Sequence, residues 1–158
     1  MATSTKNKIL STSVSLAGEF AVLSQLALRG YDANMTLGNT KHVDILVSNP
    51  RTKKMFRLEV KTNIRGADKL SHSKLFGSTV SDWIMQEKHE TIIDSSLFYC
   101  FVNISKSTHQ FKFYIVPNNV VAKYVKIQHQ LYRNSGGNDS PMRLFRMGVK
   151  GERYKIST

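Results

Sequence analysis

The sequence predicts an α/β domain in which a mixed central β-sheet is flanked by α-helices. Apolar residues near the N-terminus recur at spacings of three and four, which is the pattern of an amphipathic helix. Later segments are rich in β-branched residues or alternate with a period of two, as strands do. Helical and strand patterns follow one another along 158 residues, a length that suits one domain spanning 1–158.

The first half of the chain is predicted to contain one helix and three strands. Gly30 lies where a left-handed residue would end the helix. Between Phe56 and Lys61, three apolar residues alternate with three charged ones, which indicates a half-buried strand. The predicted elements are, in order, a flexible head (1–12), a helix (14–29), an edge strand (31–37), a turn (38–40), and a hairpin (43–47 and 55–62).

The second half is predicted to add two helices and two strands. Trp83 is interpreted as a core residue of the first of these helices rather than as a platform for stacked bases. The last part of the chain carries five cationic residues from Arg143 onward against one acid, Glu152, and is expected to be a loose tail. The segments are a polar basic stretch (63–77), a helix (79–90), two strands (97–104 and 111–116), a helix (118–132), a loop (134–141) and a basic tail (133–158).

Charge and cysteine content narrow the function. The 23 Lys and Arg residues outnumber the 11 Asp and Glu residues and give a net charge of +12, which favours a polyanionic partner. The single cysteine, Cys100, lies in an apolar run and is expected to be a buried thiol in a reducing compartment. Because no signal-peptide or membrane-spanning run is apparent, we expect a soluble, cytoplasmic protein with no membrane partner.

Three acids stand out because of their apolar surroundings, whereas the others, Asp82 among them, are expected to be solvated. Asp44 interrupts an apolar strand, Glu19 lies in the most apolar helix, and Glu59 precedes Lys61 by two residues. Carboxylates are seldom buried unless they are paired or bind a metal. A purely structural interpretation, with a surface Glu–Lys pair and a strand-edge Asp, remains open, and Glu19 could equally be an exposed helix residue.

The register of the hairpin decides whether these groups meet. If paired residue numbers sum to 103, Asp44 faces Glu59 and Lys61 stands one step along the same face. A sum of 102 would move the side chains to opposite faces. Two adjacent carboxylates repel unless a cation lies between them, and oxygen ligands of this kind suit Mg²⁺. Lys61 could then hold an attacking water and neutralise charge on phosphate.

Asp44, followed fifteen residues later by Glu59, Val60 and Lys61, resembles the signature of the PD-(D/E)XK nucleases, the restriction-endonuclease-like superfamily. The helix with Gly18 and Glu19 resembles the first helix of archaeal-type Holliday-junction resolvases and Mrr-like restriction domains. The chain departs from the signature at Val43, which stands where the signature has proline, although many members of this group lack that proline.

The resemblance implies a restriction-endonuclease-like core and a metal-dependent endonuclease that hydrolyses phosphodiesters. It implies that Asp44, Glu59 and the main-chain carbonyl of Val60 bind Mg²⁺, with Mn²⁺ as a substitute. It also implies that Lys61 assists the water and that Glu19 completes the acidic site, through a second metal or a water. We rank a restriction or repair-type DNA nuclease above a junction resolvase and RNA cleavage third; cleavage of both strands would suit a homodimer or higher homo-oligomer.

The basic residues are candidates for contacts with phosphates, although any single one can equally be a solvated surface charge. They cluster in the hairpin turn, in the stretch after the motif and in the tail. The candidates are Arg51, Lys53, Lys54, Arg65, Lys69, His72, Lys74, Arg143, Arg146 and Lys150.

Other site chemistries are disfavoured. The five histidines, His42, His72, His89, His109 and His129, show no metal-binding spacing with the cysteine, so a zinc site is not expected. Gly136 and Gly137 lack the Lys and Ser/Thr of a phosphate-binding loop. Two non-enzymatic functions remain alternatives: a nucleic-acid-binding domain without catalysis, and an interaction subunit whose basic face binds an acidic protein.

Overall fold

The structure is a computed structural model that describes residues 9–36, 42–64, 80–150 and 153–155. It contains the helices α1 (Ser11–Leu28) and α2 (Asn118–Asn134) and a short 3-10 turn at Glu87–Glu90. The predicted turn at 38–40 and the stretch 65–77 lie outside the described residues. The strands are β1 (Asp32–Met35), β2 (Ile45–Ser48), β3 (Met55–Ile64), β4 (Val80–Gln86), β5 (Leu97–Ile104), β6 (Phe111–Pro117), β7 (Met142–Lys150) and β8 (Arg153–Lys155).

The central sheet is mixed, as predicted. Its five strands lie in the order β1-β2-β3-β5-β6. Strands β3 and β5 run parallel, whereas the other neighbours in this sheet are antiparallel. The predicted edge strand, both strands of the hairpin and the two strands of the second half are therefore confirmed, with β1 at the edge.

Helix α1 covers one face of this sheet and buries a narrow stripe. Val14, Gly18 and Val22 recur every four residues and are the buried positions of the helix. They pack with the inward side chains of the sheet, including Ile45 and Val60, in one apolar cluster. Cys100 belongs to the same cluster and is buried, as expected, and burial raises the pKa of its thiol to about 12. The stripe holds α1 directly over β3.

A second sheet, in the order β4-β7-β8, corrects two predictions. Residues 80–86 form a strand rather than a helix, and the supposed tail from Met142 onward is strand β7 instead of a loose end. The two errors have one cause, because β4 and β7 pair along their length from Val80–Gly148 to Gln86–Met142. Strand pairing across some sixty residues of sequence leaves no local signal.

The two sheets and helix α2 enclose a second core. Trp83 and Phe145 from the paired strands β4 and β7 meet Tyr99 and Phe101 from the central sheet, with Val121 from α2 in the same cluster. The indole Nε1–H of Trp83 donates a hydrogen bond to the carbonyl of Val102 at 2.9 Å, so its interpretation as a core residue is confirmed, although on a strand. No helix in the described part of the chain is long and apolar enough to cross a membrane.

A candidate metal-binding cleft beside strands β2 and β3

The hairpin adopts the register that brings the acids together. Ile45 pairs with Leu58 and Ser48 with Met55, so the paired numbers sum to 103, the first of the two registers that the sequence left open. The register of the four paired residues is therefore not slipped, but the ladder is interrupted at Asp44. The Asp44 N–H donates to the carbonyl of Leu58 at 2.8 Å, and Leu58 is already the partner of Ile45, so Asp44 and Ile45 both stand opposite Leu58 as in a β-bulge.

A bend in the backbone at Asp44 ties its side chain to β3. The Asp44 carbonyl accepts a hydrogen bond from the Thr36 N–H at 3.0 Å, on the β1 side, although its own N–H points to β3. The Val60 N–H instead donates to the carboxylate, with 2.6 Å between Val60 N and Asp44 Oδ2. Burial raises the pKa of Asp44, while this N–H and the Lys61 ammonium oppose the rise.

The negative charge of Glu59 is stabilised by its neighbours more strongly than that of Asp44 or Glu19. Only 4% of the residue is exposed, and its Oε1 lies 2.6 Å from Lys61 Nζ and 3.2 Å from His89 Nε2. Burial alone would raise its pKa, but the bond from His89 and the charge of Lys61 outweigh burial and lower the pKa to about 2. Its Oε2 has no hydrogen-bond partner within the described ranges. Glu59 is therefore ionised at neutral pH, with one oxygen left over.

An open cleft of about 390 Å³ adjoins these residues. Glu19, Asp44 and Lys61 line it, so the structure brings three of the four predicted catalytic side chains to one cavity. The fourth, Glu59, contacts the cleft through Lys61. The full lining consists of Ser15, Glu19, Asp44, Val60, Lys61, Thr62, Asn63, Asp82, Trp83 and Ile84.

Glu19 reaches the cleft because α1 approaches β3 closely at Gly18. A Cβ on Gly18 would lie 2.9 Å from the Thr62 Cβ and nearer still to its Oγ1, so only glycine permits this contact. Burial raises the pKa of Glu19, and the negative charge of Asp44 raises it further. The structure therefore places the helix acid with the strand acids, rather than on the exposed side of the helix.

Sequence reasoning missed Asp82, which was expected to be solvated. It is only 5% exposed and lines the same cleft as Glu19 and Asp44. The Asn63 side chain holds this segment by donating to the Asp82 carbonyl at 2.7 Å. The available signal was the same as for Asp44, a single acid inside an apolar run from Val80 to Met85, but the helix prediction obscured it.

A second cluster of possible metal ligands also includes Glu59. One ligand atom each from His42, Glu59 and His89 lie within 4.8 Å of one another, so these residues could hold a metal ion. Burial lowers the pKa of His42, and the charge of Glu59 only partly offsets this effect, so its imidazole stays neutral at pH 7. The expectation of no zinc-type site considered only spacing with cysteine and did not anticipate this cluster.

The predicted phosphate contacts fall into distinct groups. Arg51, Lys53 and Lys54 are exposed in the turn between β2 and β3. This turn begins five residues along the chain from Asp44, which is about 16 Å of strand. Lys150 belongs to β7, but its side chain is outside the described atoms. Four further candidates lie outside the described residues: Arg65, Lys69, His72 and Lys74.

The two predicted arginines of β7 differ in exposure. Arg143 is 5% exposed, and its guanidinium binds Glu90 and the carbonyl of Ser140. This placement argues against Arg143 as a contact to phosphate. Arg146 is partly buried, and its Nη1 lies 3.4 Å from Gln128 Oε1.

The fold is similar to that of a nuclease of known structure. The bacterial homing endonuclease I-Ssp6803I superimposes with a TM-score of 0.51 and 12% sequence identity, over 93% of this chain and 84% of that one. The sequence matches no protein-family model and no curated protein. At this identity the likeness establishes a shared fold, namely a mixed α/β core of the kind found in that endonuclease.

Proposed function

We propose that the protein is a metal-dependent endonuclease of the PD-(D/E)XK type that hydrolyses phosphodiester bonds, with DNA as its substrate. The observation that carries this proposal is the shared cleft of Glu19, Asp44 and Lys61, beside the paired acid Glu59. The fold shared with a homing endonuclease and the net charge of +12 agree with it.

The donor set fits Mg²⁺. Asp44 and Glu59 are carboxylates on neighbouring chain segments, and the carboxylates of Asp44 and Glu19 line the cleft together. The raised pKa values of Glu19 and Asp44 indicate negative charge that lacks full compensation. Mg²⁺ prefers such oxygen ligands and takes one or two carboxylates together with substrate phosphate. Asp44 and Glu59 would hold the ion, with the Val60 carbonyl, and Glu19 would complete the acidic side.

Within this mechanism the chain's own residues orient the reactants. The metal, when bound, would polarise the phosphodiester and acidify a water molecule. Lys61 would direct an N–H of its ammonium at the attacking water or the developing negative charge on phosphate. Glu59 orients Lys61 for this task through their 2.6 Å ion pair. The exposed cations of the β2–β3 turn would bind backbone phosphates away from the cleavage point, and a homodimer would place one cleft on each strand.

The decisive experiment combines a substrate panel with matched variants. The full chain is incubated with plasmid, linear duplex, four-way junction and single-stranded RNA, in Mg²⁺ or in EDTA. Asp44→Asn and Lys61→Met should slow cleavage by about 10³-fold, since each removes several kcal/mol of transition-state stabilisation. The exposed residues Asp32 and Lys112 provide the controls Asp32→Asn and Lys112→Met, which should leave the rate unchanged. Cleavage that persists in EDTA or in Asp44→Asn would refute the proposal.

A non-catalytic nucleic-acid-binding domain is the second candidate. It is favoured by the ion pair and hydrogen bond that already occupy Glu59 Oε1, as expected of an acid that serves folding. In that case the panel would give binding with a steep salt dependence, with a slope of roughly −0.9 per phosphate contact, and no cleavage of any substrate. Asp44→Asn would then bind as tightly as the wild type.

A further inference from the structure

The histidine cluster differs from the cleft in its chemistry. His42 precedes β2, Glu59 lies in the middle of β3, and His89 belongs to the 3-10 turn after β4. Tertiary structure alone gathers these three segments, and their ligand atoms lie within 4.8 Å of one another. The two imidazole rings stand edge to face with 5.9 Å between their centroids. The cluster therefore presents two nitrogen donors and one oxygen donor to a common point.

Two of the three donor atoms are buried and lack partners. His42 Nδ1 and Glu59 Oε2 form no hydrogen bond within the described ranges, although they lie 3.6 Å apart. A buried polar atom without a partner destabilises the folded chain, because it has lost its hydrogen bonds to water. His42 also has a φ of 62°, a left-handed conformation that a non-glycine residue adopts at a cost. An ion between these atoms would satisfy both.

The third donor, His89, has the support that metal-binding histidines use. Its Nδ1 lies 2.9 Å from both the N–H and the carbonyl of Gln86. In one tautomer Nδ1 accepts from the N–H, and Nε2–H donates to Glu59. In the other, Nδ1–H donates to the carbonyl and the Nε2 lone pair faces Glu59. Donation of the distal N–H to a backbone carbonyl is the usual way to orient a histidine ligand.

We propose that His42, Glu59 and His89 bind a transition-metal ion of the Zn²⁺ class at a site that adjoins the proposed Mg²⁺ cleft and shares Glu59 with it. Two imidazoles and one carboxylate suit Zn²⁺, Co²⁺ or Ni²⁺, whereas Mg²⁺ favours oxygen ligands throughout. Because Glu59 would serve both sites, Zn²⁺ at the histidines inhibits cleavage by withdrawing this carboxylate from the cleft. Only the inhibition rests on the proposed nuclease function; the binding stands without it.

Binding is measured first, on the metal-free full chain at neutral pH. Calorimetry with Zn²⁺ should give one ion per chain. His42→Asn or His89→Gln should weaken the Zn²⁺ affinity by more than about 100-fold, a larger loss than is usual when a residue that only supports a ligand is replaced. Asparagine tolerates the left-handed backbone of His42. The control is His109→Asn, because His109 is exposed and also has a positive φ of 53°. Circular dichroism confirms that each variant is folded.

Three results discriminate. Visible absorption of the Co²⁺-loaded protein should report nitrogen ligands and change in His42→Asn, which a merely structural histidine would not cause. Asp44→Asn should keep its Zn²⁺ affinity, so that a failed nuclease assay and a failed metal site are distinguishable. Added Zn²⁺ should inhibit Mg²⁺-dependent cleavage by the wild type far more than by His42→Asn. Equal Zn²⁺ affinity of the wild type, His42→Asn and His89→Gln would overturn the proposal.

Discussion

Glu59 on the one hand, and Asp44 and Glu19 on the other, lie near each other beside the β2–β3 hairpin. Their surroundings shift the pKa values of these carboxyl groups in opposite directions. Glu59 is buried but has a cation and an imidazole at hydrogen-bonding distance, and its pKa falls to about 2. Asp44 and Glu19 line an open cleft, and burial raises the pKa of each. The surroundings of Glu59 stabilise its charge in the folded chain, whereas those of the cleft acids leave charge that a bound cation would neutralise.

The difference matters for how such a site is built. Glu59 is stabilised in the folded chain by Lys61 and His89, and it orients Lys61 in turn. Asp44 and Glu19 instead keep negative charge that a bound cation would neutralise. Neutralising Glu59 and neutralising Asp44 should therefore change the free energy of unfolding in opposite directions, although both substitutions would impair cleavage.

The largest effect on stability is expected for Glu59→Gln. Because folding lowers the pKa of Glu59 from 4.5 to about 2, its ionised form contributes about 3 kcal/mol to the free energy of unfolding at neutral pH. That contribution is complete above pH 4.5 and is lost as the pH falls through about 2. Urea unfolding of the metal-free wild type and variant should therefore give curves that differ most at pH 7 and converge in acid.

Glu87→Gln is the matched control for this titration, because the Glu87 side chain is 70% exposed and its Oε1 lies 3.8 Å from Arg143 Nη2, too far for a hydrogen bond. It should change the free energy of unfolding little at any pH. If Glu59→Gln lowered the free energy of unfolding as little as Glu87→Gln, the surroundings of Glu59 would not stabilise its charge.

Gly18→Ala should be next in size, at about 1–3 kcal/mol of destabilisation, because the new methyl group overlaps Thr62. The substitution tests whether the close approach of α1 to β3 keeps Glu19 at the cleft. The measurement is urea unfolding, together with cleavage, which should fall as Glu19 is displaced. In a double-mutant cycle, Thr62→Ala should recover part of the loss, and strict additivity would contradict the contact. Ser24→Ala, at an exposed position of α1, is the neutral control.

Mg²⁺ should stabilise the cleft side by about 1.4 kcal/mol when its free concentration is ten times the dissociation constant. The expected observation is a rise in the melting temperature of the wild type that is absent in Asp44→Asn and intact in Asp32→Asn. A similar rise in Asp44→Asn would place the ion elsewhere.

The smallest change in the free energy of unfolding is expected for Asp44→Asn without metal. The informative result is whether this free energy rises or falls. The folded chain raises the pKa of Asp44 above 3.8, so the ionised carboxylate opposes folding at neutral pH. The neutral amide should therefore increase the free energy of unfolding slightly, opposite to Glu59→Gln. Thermal unfolding in EDTA measures it, and a clear loss of stability would show that Asp44 is compensated like Glu59.

Much of the fold and of the cleft follows from local patterns. The periodicity near the N-terminus predicted α1, and the alternation between Phe56 and Lys61 predicted β3, because both patterns report which faces of an element are buried. An acid inside an apolar run singled out Asp44, and neighbours in sequence were sufficient for that inference. They left the register of the hairpin open, and the structure selected the sum of 103 for residues 45–48.

Tertiary structure decided the rest. Residues 80–86 have no pronounced strand pattern, and they become β4 because β7 pairs with them from the far end of the chain. That pairing buries Asp82 at the cleft and positions the turn whose His89 meets Glu59. His42 and His89 are 47 residues apart, so spacing could not predict their cluster. Sequence by itself determined the elements that local periodicity encodes. The long-range strand pairing that completes the site was decided by tertiary structure, because packing selects such a pairing only once the chain is compact.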